Sequence, residues 1–288
     1  MSNIDQIEIQ EENIRETPTK TTYVALVVDE SSSMGVMAEQ AISLFNENLQ
    51  TMKIEGKANN VRNIVSLIKF ASEVEVVHGN VELDEIDEVD NQTYIPNGMT
   101  AMYDGIGTAI NILKGVPNYD NQDVSFLVLV ITDGEENFST EFSGNQLSEW
   151  ITELESADRW TFTVLGANID LTKLRKTLGI QLNNVQSFNF NKVGFQEGSR
   201  LMACGLSSYY SARSQGLTRV DDFYNNSIDQ SITNQPSVSD FLNRAQGTTF
   251  TENNSQNITM NSNSGLVSVA PEYSSYSNDL VEDLEGDD

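Results

Sequence analysis

Val124–Ile131 is the most apolar stretch of the chain, and it breaks at Asp133-Gly134. It reads as the central strand of a sheet. Tyr23–Val28 is a second continuous apolar run, the pattern of a strand covered on both faces, and it gives way to Asp29. Between these runs the period changes. Ile42, Phe45, Leu49 and Met52 recur every three or four residues, which marks an amphipathic helix. Asn63–Phe70 and Val74–Val81 read as two strands joined by the tight turn Ala71-Ser72-Glu73, an antiparallel hairpin. Pro96-Asn97-Gly98 is turn chemistry, and a helix follows over Ala101–Leu113. Helices over Leu147–Leu154 and Leu171–Leu178 (the second stopped by Gly179), strands over Trp160–Leu165 and Val185–Phe190, and a closing helix over Phe195–Arg213 complete the series. Strands alternating with helices predict an α/β fold: a doubly wound, mainly parallel sheet with one antiparallel edge hairpin and helices on both faces.

In such sheets ligands sit beyond the carboxyl ends of the strands, near a topological switch point. Three pieces of this chain fall at such places: Asp29-Glu30-Ser31-Ser32-Ser33, Thr100 after Gly98-Met99, and Asp133 in Thr132-Asp133-Gly134. Asp29, Ser31, Ser33, Thr100 and Asp133 together offer two carboxylates and three hydroxyls. An all-oxygen set suits a hard cation, Mg²⁺ or Mn²⁺, rather than zinc. Neutral hydroxyls also leave more positive charge on the metal than three carboxylates would, so a carboxylate from another molecule can complete the octahedron. Alternate side chains of a near-extended segment point the same way, which would let Asp29, Ser31 and Ser33 face one ion.

These three pieces, in this order behind these strands, resemble the metal-ion-dependent adhesion site of the von Willebrand factor type A domain family. The resemblance spans roughly residues 21–215, and Ser32 stands where many members have glycine. It implies the Rossmann-like fold of that family. It also implies that the two serine hydroxyls bind the metal directly, that Thr100 does so directly or through water, and that the aspartates often act through bridging waters. Ile131-Thr132-Asp133-Gly134-Glu135-Glu136-Asn137 is similar to bacterial and phage-encoded intracellular members, as is Ser207-Ser208-Tyr209-Tyr210 with Ser211-Ala212-Arg213. Such relatives serve as adaptors, some beside AAA-type ATPases.

Composition narrows the partners. Forty-three acidic against 16 basic residues give a formal charge of −27. That balance argues against a nucleic-acid backbone and against anionic membrane surfaces as ligands. It favours divalent cations and basic partners. Apolar residues are 38% of the chain and thin out after about Arg219. Residues 220–288 are rich in Asn, Ser, Gln and Thr and hold twelve acidic residues against Arg244 alone. The expected organisation is an acidic N-terminal extension (1–20), the metal-binding domain (21–215) and an acidic, largely disordered tail (216–288). Residues 1–19 have no apolar core that would make a secretory signal, and no apolar stretch approaches the length of a membrane span, so a cytoplasmic setting or a virion is expected.

Other residues take supporting parts. Asp104, in the first turn of the helix opened by Thr100, reads as structural support; Glu135 and Glu136 read as a solvated rim. Glu30 is expected to point away from the metal, Tyr103 and Phe138 to pack, and Cys204, the single cysteine, to be buried in the last helix. His78, the single histidine, is remote in sequence from these loops. The function expected is a protein-binding module, not an enzyme, whose partner supplies an Asp or Glu. Two alternatives remain open. A metal-dependent hydrolase would use Glu135 or Glu136 as base. A virion or scaffold component would act through its acidic tail.

Overall fold

A computed structural model describes residues 20–224. The extension expected over 1–20 lies outside these residues except for Lys20, and the expected tail does so from residue 225 onward. Six strands form one sheet: β1 (Lys20–Asp29), β2 (Val61–Phe70), β3 (Val74–Glu82), β4 (Val124–Thr132), β5 (Trp160–Ala167) and β6 (Val185–Phe188). Their order is β3-β2-β1-β4-β5-β6. All neighbours pair in parallel except β2 and β3, which form the antiparallel edge hairpin. The sheet is therefore doubly wound, and its order reverses between β1 and β4.

The central strands are buried on both faces because each face carries its own helical layer. Val24, Leu26 and Val28 of β1 join the core beneath α1 (Ala38–Ala58) and α5 (Lys192–Ser214). Tyr23, Ala25 and Val27 join the opposite core beneath α2 (Met102–Lys114), α3 (Gly144–Ser156) and α4 (Leu171–Leu178). A period of two on the strand thus feeds two apolar layers. All nine residues of β4 are buried, as a central strand requires.

Local chemistry sets the element ends. Asp170 caps α4 by accepting from the Thr172 and Lys173 amides, and Gly179 ends it in the left-handed region at φ 74°. The sequence pattern extends the last strand to Phe190, but β6 stops at Phe188. Asn191 explains this: its side chain accepts from the Gly194 amide and starts α5 three residues before the first apolar residue of the pattern, Phe195.

Beyond α5 the chain crosses the amino ends of β5 and β6. The Val220 amide donates to Thr161 Oγ1 (3.0 Å), the Phe223 amide to Asn184 Oδ1 (2.8 Å) and the Tyr224 amide to Asn183 O (2.9 Å). Val220, Phe223 and Tyr224 are buried although they follow the point where apolar residues thin out. Arg219 ties this strap to α3 through Glu155 O and Asp158.

Glu155 itself is buried, and its Oε1 has no hydrogen-bond partner among the described residues. Burial pushes its carboxyl up from 4.5 to about 7, offset in part by Arg219 and Gln181, with Asp221 adding to the rise. A raised carboxyl favours the protonated native state. Its contribution to stability is present below pH 4.5 and lost as pH rises through 7. Glu155→Gln should therefore stabilise the protein by about 2–3 kcal/mol at pH 8 and by little at pH 5, as read by urea unfolding at the two pH values.

Candidate metal centre

Asp29 is the last residue of β1, and Asp133 directly follows β4. Both stand at the carboxyl edge of the sheet, at the β1/β4 switch point. Asp29 is fully buried, Ser31 and Thr100 are buried, Asp133 is half-buried and Ser33 is exposed. The group thus runs from a buried base to an open mouth.

Hydrogen bonds bring four of the five residues together. The Ser31 amide donates to Asp29 Oδ1 (2.8 Å), a turn made by the aspartate on its own backbone. Ser31 Oγ and Ser33 Oγ are 3.0 Å apart, and Ser33 Oγ donates to Asp133 Oδ1 (2.8 Å). Thr100 completes the group through the third loop. Its amide donates to Asn137 Oδ1 (2.9 Å), its carbonyl accepts from the Asn137 amide (3.0 Å), and a Cβ built on Gly134 would lie 3.6 Å from Thr100 Oγ1. Ser33 reaches its place differently from the extended geometry expected. Ser31 is extended, but Ser32–Met37 form a 3₁₀ helix. The turn at Asp29 and this helix together aim Ser33 at Asp133.

The loops are tied to one another. The Ser32 amide donates to Gly98 O (3.1 Å) and the Asn97 amide to Glu30 O (2.7 Å). Gly98 has φ 77°, and a Cβ there would lie 2.6 Å from Ser72 Oγ, so this close approach requires glycine. Glu30 points away from the site, accepting from the Ile95 amide (2.7 Å) and from Lys69 Nζ (3.1 Å).

Asp104 accepts from three successive amides, Thr140 (2.8 Å), Glu141 (3.0 Å) and Phe142 (2.9 Å), and so fastens the third loop to α2. Glu136 is not a solvated rim. It accepts from the Tyr103 amide (2.9 Å), the Phe138 amide (2.8 Å) and the Ser139 amide and hydroxyl (2.7 Å each). Glu135 is exposed and pairs with Lys173. Phe138 does not pack as expected but is 45% exposed, whereas Tyr103 is half-buried against the α2–α4 core. Cys204 is half-buried rather than buried, on the α5 face that carries Arg200. His78 lies on the edge strand β3.

Two positioning groups have no counterpart in the sequence reading. Thr132 Oγ1 donates to Asp29 Oδ2 (2.6 Å), and Tyr94 Oη donates to Asp29 O (2.5 Å). A hydroxyl closing an otherwise apolar strand directly before Asp133 is a usable signal for Thr132; Tyr94, on a loop remote in sequence, gives none. Thr132→Val should weaken Mn²⁺ binding by about tenfold while leaving the fold intact, because the freed carboxylate loses its fixed orientation. Titration calorimetry with MnCl₂ checks this.

The electrostatics are those of a site short of positive charge. Burial raises the Asp29 carboxyl above its usual range, with the bonds from Thr132 and Ser31 holding it back. Burial also pushes Asp133 up to about 6, opposed by Ser33 and reinforced by the charge of Asp29. Neither carboxylate forms an ion pair among the described residues. No three His, Cys, Asp or Glu side chains gather at metal-binding spacing among those residues. The donors here are two carboxylates and three hydroxyls, a set that fits a hard divalent cation.

A doubly wound α/β domain with an oxygen-only site at its switch point defines the class of protein. The sequence pattern of the von Willebrand factor type A domain family matches residues 24–200, and the chain belongs to that family. Its members are adhesion or interaction domains. None of the curated proteins compared matches the chain significantly. Among solved structures, the chain is similar to proximal thread matrix protein 1 of the mussel byssus (17% identity, TM-score 0.46, covering 66% of this chain and 46% of that one). A further structure of that mussel protein has a zinc-occupied metal-ion-dependent adhesion site motif. The chain is also similar to a von Willebrand factor type A protein of Catenulispora acidiphila (15%, TM-score 0.42, 65% and 43%) and to the manganese-loaded TRAP protein of Plasmodium vivax (16%, TM-score 0.41, 61% and 71%). The matches thus span less than half of the mussel and Catenulispora chains. No helix among the described residues is long and apolar enough to cross a membrane.

Proposed function

We propose that this domain binds a protein partner through a divalent cation, Mg²⁺ with Mn²⁺ as a substitute, held by Asp29, Ser31, Ser33, Thr100 and Asp133. The observation that carries the reading is a pair of carboxylates that are raised by burial and have no counter-cation among the described residues, joined by serine hydroxyls at the sheet's switch point. When bound, the cation offers an electron-poor coordination position to an Asp or Glu of the partner. The chain's own residues supply the rest: Thr132 and Tyr94 fix Asp29, Asn137 fixes Thr100, and Asp104 holds the third loop in place.

Binding rather than hydrolysis is favoured by the state of the two nearby glutamates. A general base must have a lone pair free to take a proton. Glu136 accepts four hydrogen bonds and has no lone pair free, whereas the exposed Glu135 is held in an ion pair with Lys173 through one oxygen and keeps the other, so Glu136 alone carries this argument. A tagged pull-down from the source cells tests the proposal with wild type in Mg²⁺, wild type in EDTA, and Asp133→Ala in Mg²⁺. A partner retained only in the first arm is the expected result. A partner retained in all three would contradict it and point to the acidic tail.

A further inference from the structure

The two edges of the sheet differ in how they are protected. A free edge is a template for a further strand, and soluble proteins block it with charge, proline or bulges. β3 is blocked in this way: Glu75 and Glu82 carry charge, its pairing with β2 shifts register at two places, and Asn80 stands at φ 53°. β6 closes the other end of the sheet order, and no strand pairs with its outer side among the described residues. From Ile180 to Asn191 the chain holds no charged residue and no proline. The Asn168 amide donates to Phe188 O (2.9 Å), so Phe188 turns its backbone groups toward β5 and, by alternation, Ser187 turns its own outward. The Ser187 carbonyl accepts from the Gln186 side-chain amide (3.2 Å), a stand-in for a missing strand.

A groove of ≈ 850 Å³ follows this edge. Gln186, Ser187 and Phe188 of β6 all line it, opposite one side of α5. Successive strand residues face opposite sides of a sheet, so a groove that touches all three runs along the edge and not over one face. Phe188 and Leu201, at the margin of the core, form its apolar wall. Two exposed apolar side chains stand at the ends of β6: Leu182 (58% exposed) in the 3₁₀ turn that leads into it, and Val193 (74%) in the first turn of α5. The charged groups of the groove are Lys192 and the ion pair Glu197–Arg200. Lys192 has no carboxylate partner among the described residues, so the groove is net positive in a chain of charge −27.

We infer that residues 4–10 of this chain, Ile4-Asp5-Gln6-Ile7-Glu8-Ile9-Gln10, cover this edge as a seventh strand antiparallel to β6. The segment lies outside the described residues, and its pattern, reach and charge match the groove. Ile7 and Ile9 alternate with Gln6, Glu8 and Gln10, so an extended chain turns one apolar side to Phe188 and Leu201 and a polar side to the opposite face. β1 starts at Lys20 on the amino edge, three strand spacings or about 14 Å from β6, and residues 10–19 span up to about 33 Å. The shortest route keeps Gln10 on the amino edge, so the segment runs against the direction of β6. That direction sets Asp5 beside Lys192 and the amino end of α5, both of which attract a carboxylate. The β3 edge does the reverse. Residues 73–90 hold eight acidic residues and no lysine or arginine, and they repel Asp5 and Glu8.

Amide hydrogen exchange of the full chain, followed by NMR, tests this. The Ser187 amide should exchange at least about 100-fold more slowly than in an unfolded chain, and alternate amides within residues 6–9 should share that protection. Ile7→Pro should abolish the protection of Ser187 and leave the β4 amides as slow as in wild type. Ser187→Pro, which removes an outward N–H that β5 does not use, should in turn free the amides of residues 6–9. Fast exchange at Ser187 in wild type would overturn the inference. So would protection kept in Ile7→Pro, which would give the edge to residues after Tyr224, and protection that rises with protein concentration, which would give it to a second copy. Both substitutions lie outside the metal centre, so Mn²⁺ binding stands or falls separately.

Discussion

Replacing Asp133 by Asn will stabilise the cation-free protein and abolish its response to cation. Asp133 sits half-buried beside Asp29, with its carboxyl raised to about 6 by burial and by its neighbour's charge. At pH 7.5 holding it ionised costs stability. Discounted for solvent screening of a partly exposed group, removing that charge gains about 1 kcal/mol. The amide oxygen still accepts from Ser33, so the loop keeps its bond. A cation that binds only the native state stabilises wild type by about 2.7 kcal/mol at a concentration one hundred times its Kd. For a domain of this size that is a rise in Tm of roughly 5–10 °C. Thermal unfolding of both proteins in EDTA and in MgCl₂ should show the two effects with opposite sign. Equal responses to Mg²⁺ would place the cation elsewhere.

The second large effect lies in the core that holds the sheet in shape. Trp160 opens β5 and is completely buried. Its ring stacks on Phe126 of β4 (centroids 4.4 Å apart, 21° between planes) and lies 5.7 Å from Phe162. Trp160→Ala should cost about 3–5 kcal/mol, lost transfer energy plus the cavity left behind. Trp160→Phe should cost far less. The indole N–H has no partner among the described residues, so the smaller ring removes a buried orphan donor as well as some contact area. Chemical unfolding of the two variants separates aromatic packing from any polar role. If phenylalanine costs as much as alanine, the indole nitrogen has a bonding role absent from this account.

The fold was legible because its strongest signals are long. Val124–Ile131 reads as a central strand, and all of β4 is buried. The hairpin shows because a three-residue turn separates two β-rich runs, which the pairing of Val74 with Phe70 reflects. The doubly wound order follows from alternation, since parallel neighbours need a crossover. The boundaries at Phe190 and Phe195 differ from the apolar pattern because an apolar period cannot register a cap, and Asn191 decides both.

The site was legible as residue types and less so as geometry. Asp29, Ser31, Ser33, Thr100 and Asp133 lie in three separate pieces, and strand order brings those pieces to one edge. The route by which Ser33 turns toward Asp133 could not be read, because a 3₁₀ helix of Ser-Ser-Met-Gly-Val-Met carries no apolar periodicity. Glu136 looked like a surface acid because its bonds go to backbone amides, which leave no trace in side-chain pattern. Phe138 and Cys204 depart from the sequence pattern for a related reason: apolar character says what a residue tolerates, and only packing says what covers it.

Anomalous diffraction from crystals grown in Mn²⁺ shows whether these five side chains hold one cation. The expected result is a single strong anomalous peak bounded by Ser31 Oγ, Ser33 Oγ and Thr100 Oγ1, with Asp29 and Asp133 beside it. An ordered site with no peak there, or a peak only on another acidic surface, would contradict it.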